Sequence, residues 1–176
     1  MSTLLDQYIS RLSNLTSFNI HSVDETSDTV NPWYEVTGKN VVNDLVIFEA
    51  TLQEQVQAIS AQVMHWGRLS AQCRRVLAVV ERQYRHWREI LSASLYVKPA
   101  DWDEEADGVW KRPTGAQVEA AYRSHPDYTL WQKRIERAEE AYNAAEAVLD
   151  GFRCKRDMLK SAVYRRREES APRLSV

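Results

Sequence analysis

Apolar side chains recur along two stretches of this chain at alternating steps of four and three. From Leu45 to Leu91 fourteen positions fall on such a series, and twelve are apolar or aromatic, with Glu49 and Ser70 the exceptions. From Tyr128 to Arg166 twelve positions follow the same rule, and ten are apolar or aromatic, with Arg156 and Arg166 the exceptions. The mean step of about 3.5 is that of a heptad seam rather than a globular stripe. The pattern predicts two long helices, about 41–97 and 127–169. Gly67 and Gly151 are lone glycines inside them. Each costs about 1 kcal/mol against Ala in a helix interior and marks a bend or a close approach.

The rest of the chain is read by its breaks. Leu4, Leu5, Tyr8, Ile9 and Leu12 share one helical face, so 3–14 is expected to be a short amphipathic helix capped by Ser2 or Thr3. Residues 15–40 show no clean period and contain Asp24-Glu25, Asn31-Pro32 and Gly38. They also carry Phe18, Ile20, Val30 and Trp33, too many apolar groups for a linker. The expectation is an arm that docks on the protein's own body or on a neighbouring subunit. Between the long helices, Pro99 and Pro113 bound an acidic loop holding Asp101, Asp103, Glu104, Glu105 and Asp107. Thr114 to Gln117 has the spacing of a capping box, which predicts a short helix over about 115–124. Ser124-His125-Pro126 ends it, and Asp127 is the expected N-cap of the second long helix.

These elements sum to an all-α fold: a long antiparallel, coiled-coil-like helical hairpin over 41–170, preceded by a short helix and docking arm over 1–40 and followed by a tail at 171–176. With residue 97 set opposite 127, Arg88 faces Glu136 and Arg85 faces Glu139. A hairpin buries one seam per helix. Further aromatics (Tyr96, Tyr122, Tyr164) are left for a neighbour, so a homo-oligomer is expected.

Composition narrows the function classes. Five Gly and five Pro in 176 residues argue against glycine-turn nucleotide folds and loop-rich sandwiches. Two cysteines exclude a disulfide scaffold, and the four histidines have no metal-ligand spacing. No phosphate-loop, dinucleotide or nucleophile-elbow motif occurs. Neither an enzyme nor a cofactor is expected. No secretory leader and no apolar span of membrane length is seen, which predicts a soluble cytoplasmic protein with reduced thiols.

The net charge of −2 hides a strong segregation. Residues 1–67 carry a net −6, 68–98 a net +5, 99–126 a net −3, and 127–176 a net +2. Residues 153–167 hold seven cations and one acid, Asp157. Arg68, Arg74 and Arg75 lie near the opposing segment of the assumed hairpin. Three readings of this basic end remain: a site for nucleic-acid backbone, a site for an acidic protein surface, or a solvated face. Phe152 and Tyr164 interleave with the cations as stacking residues do, although Phe152 also holds a seam position.

Over about 41–168 the layout resembles the UvsY-type family of phage recombination mediators. The shared features are a long helix, a break, the Thr114–Gln117 capping box, the Pro126-Asp127-Tyr128 helix start, and a long helix running through Ala138–Leu149 to Arg153, Arg156, Met158-Leu159 and Arg165. The resemblance implies an all-helical, ring-forming protein that binds single-stranded DNA without sequence preference. It implies a protein that helps load a RecA-like recombinase where single-strand-binding protein is in the way, in the cytoplasm of a bacterial host if phage-encoded. Carried over, Arg68, Arg75, Arg153, Lys155, Arg156, Lys160, Arg165, Arg166 and Arg167 form the DNA-binding set. The alternative is an adaptor, chaperone or inhibitor that binds another protein through its coiled-coil face and N-terminal arm. A structural spacer, as in a virion, is a third reading.

Overall fold

A computed structural model describes residues 3–15, 17–24, 29–100 and 109–170. The acidic loop 101–107 and the tail 171–176 lie outside the described residues. The order is α1 (Leu4–Ser13), β1 (Ser17–Asp24), β2 (Thr29–Thr37), α2 (Gly38–Leu45), one 3-10 turn (Glu49–Thr51), α3 (Leu52–Leu95), α4 (Gly115–Ser124) and α5 (Pro126–Ser170). Among the described residues the fold is mainly α-helical, with one small two-stranded sheet.

Two of the expected helix starts take the predicted chemistry. The Thr3 hydroxyl accepts the Asp6 N–H at 3.2 Å, and the Asp6 carboxylate accepts the Thr3 N–H at 2.7 Å. Thr114 and Gln117 make the same reciprocal pair at 3.4 and 2.8 Å, so α4 begins at Gly115. The start of α5 differs from expectation. Pro126 opens the helix, where its missing N–H costs nothing. His125 does the capping: its Nδ1 accepts the Asp127 N–H at 3.1 Å.

Two larger expectations are corrected. The arm 15–40 is a β-hairpin with Phe18 opposite Val36 and Ile20 opposite Tyr34. A register shift follows Ile20, and His21 pairs with Pro32, a residue with no N–H to give to a ladder. Phe18, Ile20 and Val36 are all buried. The first long helix does not begin at 41. Residues 38–51 form α2 and the 3-10 turn, and Val46 leaves the helix with extended backbone. The continuous helix starts at Leu52 and runs 44 residues.

The chain forms two compact units. Unit 1 comprises residues 1–76 and 140–176, and unit 2 comprises residues 77–139.

In unit 1 the middle of α5 is the hub. Ala141, Ala144, Ala145, Ala147, Val148, Leu149 and Phe152 are all buried, a face far wider than one seam. One side meets α3, where Trp66 stacks on Phe152 at 6.1 Å between centroids and Ser70 donates to the Glu146 carboxylate. The core also takes in α1, α2 and the sheet through Leu12, Leu45 and Ile20, none of them measurably exposed. A β-carbon at Gly151 would stand 3.1 Å from Leu45 Cδ1, so this glycine marks close packing. At Gly38 a β-carbon would overlap the Leu15 carbonyl oxygen and stand 2.8 Å from that of Leu12. Gly67, in contrast, has open space where a β-carbon would go.

These contacts also correct the register. Setting 97 opposite 127 puts Ser70 level with Cys154, whereas Ser70 meets Glu146 and Trp66 meets Phe152. The slide is about seven residues, or two helical turns.

Unit 2 is held by rings. Trp87 lies 5.7 Å from Tyr84, 6.4 Å from Trp131, 6.2 Å from Tyr122 and 5.3 Å from His125. Val79, Val80, Val118 and Tyr122 are buried, while Tyr84, Trp87 and Trp131 are half-buried. Arg88 pairs with Glu119 of α4 at 2.8 Å rather than with Glu136. Arg85 has no ion-pair partner among the described residues, Glu139 included.

Candidate nucleic-acid interface

Helical spacing sorts the basic residues of α5 before any ligand is considered. Arg153, Lys160, Tyr164 and Arg167 are separated by seven, four and three residues, so they share one face, with Arg156 at its margin. From Arg153 to Arg167 this stripe covers about 21 Å of helix. Arg153, Lys160 and Arg167 are exposed, Arg156 is half-buried, and Tyr164 is 68% exposed. Residues 158–167 carry four cations and no acid. Arg165 and Arg166 are also exposed, but each step of 100° turns them off the stripe. Arg167 stands in the last turn of α5, where a cation also offsets the partial negative charge of the helix C-terminus.

Not all of the cations are available in the same sense. Arg153 Nη1 is 2.9 Å from Asp150 Oδ1, and Arg156 Nε is 3.0 Å from Asp157 Oδ1. Such exposed pairs are worth under about 1 kcal/mol, so a phosphate displaces them easily. Lys160, Arg165 and Arg167 have no ion-pair partner among the described residues.

Lys155 leaves the set. It is 3% exposed, and its Nζ donates to the carbonyl oxygens of Asp44 at 2.6 Å and Val46 at 3.1 Å. The last carbonyls of a helix lack intrahelical donors, and Lys155 supplies them where α2 ends. Burial pulls its pKa below the usual lysine value, against the opposing pull of Asp44. It is a structural cap and does not face solvent.

No protein-family model, curated protein or solved structure matches the chain.

The two arginines carried over from α3 are placed differently from expectation. Arg68 lies between Trp66 and Ser70, at the level of about residue 149, one turn from Arg153. Arg75 is a further two turns away, roughly 40 Å along the helices from the level of Arg167. Both are exposed. The structure therefore brings Arg68 toward the start of the stripe and leaves Arg75 far from its end.

One residue that pattern reading missed is Phe48. It is 57% exposed, two residues beyond Val46, in the segment tied to α5 by Lys155. Its carbonyl accepts from Gln55 Nε2 at 2.8 Å, which fixes the backbone beneath it. Phe48 falls between the seam positions Leu45 and Glu49, and that offset was its only sequence signal. Phe152 is core, 1% exposed and stacked on Trp66, and is closed to any base.

The thiols take no part in this surface. Burial pushes Cys73 up to about 11. Cys154 is half-buried and also raised, by burial and then by Asp157.

Proposed function

We propose that this protein is a non-enzymatic recombination mediator that binds single-stranded DNA as a homo-oligomer. In this reading it helps load a RecA-like recombinase where single-strand-binding protein is in the way. The observation that carries the reading is the α5 stripe: Arg153, Lys160 and Arg167 on one face, with exposed Tyr164 between the last two. A track of cations with an aromatic ring set among them suits a flexible polyanion that carries stackable bases. Within the stripe, Lys160 and Arg167 present charge with no ion-pair partner to displace among the described residues, and Arg153 has only its exposed pair with Asp150. Three cations per subunit make a weak site alone, and repetition around an oligomer raises the affinity through effective concentration. No chemistry is assigned to the chain.

The test is anisotropy of a labelled thirty-nucleotide thymidine oligomer. Three phosphate contacts give a log–log salt slope of about −2, so affinity falls about 20-fold between 50 and 200 mM salt. The double variant Lys160→Glu, Arg167→Glu lowers affinity at least tenfold at low salt, and Tyr164→Ala lowers it further. Absence of salt-sensitive binding at micromolar protein rejects the proposal.

A further inference from the structure

Unit 2 contains an open groove of about 480 Å3, a volume within the usual range of ligand sites. It is lined by Arg85, Arg88, Glu89, Ser92 and Ala93 of α3, by Tyr96 just past the end of that helix, and by Tyr122 of α4. Arg85 to Ala93 recur at i, i+3, i+4, i+7 and i+8 of α3, and with Tyr96 in the turn that follows they make a single stripe about 16 Å long. A strand rises about 3.3 Å per residue, so the groove matches about five residues of extended peptide.

The charges in the groove are not equivalent. Arg88 is already committed. Its Nη2 lies 2.8 Å from Glu119 Oε2, and its guanidinium sits 4.5 Å from the Tyr122 ring centroid and 5.8 Å from that of Tyr84. Arg88 thus rests against Glu119 and the Tyr122 ring and forms part of the groove's lining. Arg85, at one end, is exposed and has no hydrogen-bond or ion-pair partner among the described residues. Past the other end, outside the lining itself, the Arg112 guanidinium sits 5.4 Å from the Tyr96 ring centroid. Between the two ends come the carboxylate of Glu89, the hydroxyl of Ser92 and the methyl of Ala93.

That order selects the ligand. A nucleic-acid strand carries a phosphate at every residue and would set one against Glu89. A peptide can place carboxylates only at its ends. It can offer backbone N–H to Glu89 and Ser92, and lay an apolar side chain on Ala93 and the edge of Tyr96. We propose that this groove binds an extended acidic peptide from a partner protein, about five residues long, with carboxylates at Arg85 and Arg112 and an apolar residue between them. This inference is independent of DNA binding by α5.

The test uses the full chain and three labelled probes in anisotropy titrations: the peptide Asp-Gly-Leu-Gly-Asp, its counterpart with Lys at both ends, and a five-nucleotide thymidine oligomer. The acidic peptide is expected to bind saturably below 1 mM, and the other two are not. Arg85→Glu and Ala93→Arg, both at exposed positions, each lower its affinity at least tenfold while helical circular dichroism and the melting temperature stay unchanged. Lys160→Glu on α5 leaves peptide binding as it is. Failure of the acidic peptide to bind, binding by either groove variant as tight as by the unsubstituted protein, or displacement of the peptide by the oligonucleotide each overturns the proposal.

Discussion

Unit 1 and unit 2 share the same two long helices and solve the packing problem in opposite ways. In unit 1 the α5 face of Ala141, Ala144, Ala145 and Ala147 is small-sided, so α3 lies against it and the core draws in α1, α2 and the hairpin, with the Phe152 ring wholly buried at its end. In unit 2 the helices meet through Tyr84, Trp87 and Trp131, large rings that stay half-buried, with arginines laid over their faces. Small residues allow several elements to share one core, whereas large rings hold two or three helices together and leave a groove. The part of the chain that recruits extra elements is the dry one, and the part built from rings keeps an open concavity.

The sharpest way to break this contrast is Phe152→Ala. Removing a fully buried ring stacked on Trp66 costs about 3–5 kcal/mol, read as a lower denaturation midpoint. If unit 1 truly depends on that layer, Tyr84→Ala in unit 2 costs clearly less, because its ring is half in water. Equal losses would erase the distinction. A smaller effect sharpens it: Lys155→Met keeps the volume but strips the donors from two carbonyls, costing about 1–3 kcal/mol. Proteolysis of the folded variant then cuts first near residues 46–51. The smallest effect is in pH. Cys73 has its thiol raised from 9.0 to about 11, so the folded state favours the neutral form. That contribution is fully present below about pH 9 and is lost as pH rises through about 11. Stability falls across that window, and Cys73→Ala flattens the fall.

The sequence pattern reached some of this and missed the rest for identifiable reasons. Capping boxes are local, so Thr114 announced α4 directly, while α1 was announced by its apolar face, with Ser2 and Thr3 both open as its cap and Thr3 filling the role. The cap of α5 was off by two residues, His125 in place of Asp127, because Asp127 is a good cap in general, while Pro126 suits the first turn better. The hairpin was missed because Phe18, Ile20 and Val36 alternate over only a few residues amid turn-forming neighbours. The register was beyond reach in principle. A slide of seven leaves every heptad position facing a heptad position, so periodicity cannot distinguish the two alignments, and only the fit of Trp66 on Phe152 does. The basic stripe on α5 was legible as charge. Lys155 was not: a count of cations places it outside, while its position three after Phe152 and four before Leu159 places it on the buried side.

Lys155 also bears on the order in which the chain becomes stable. Its bonds to Asp44 and Val46 close sequence separations of 111 and 109 residues. Unit 1 is likewise discontinuous, with residues 140–176 completing what 1–76 begins. At a synthesis rate of about 5–20 residues per second, the N-terminal part waits roughly 5–20 s for the helix that covers it. During that interval Ile20 and Leu45 have only the N-terminal part of their core to pack on, without Ala141–Leu159 of α5. The N-terminal part of unit 1 is therefore completed only after the last quarter of the chain has been made.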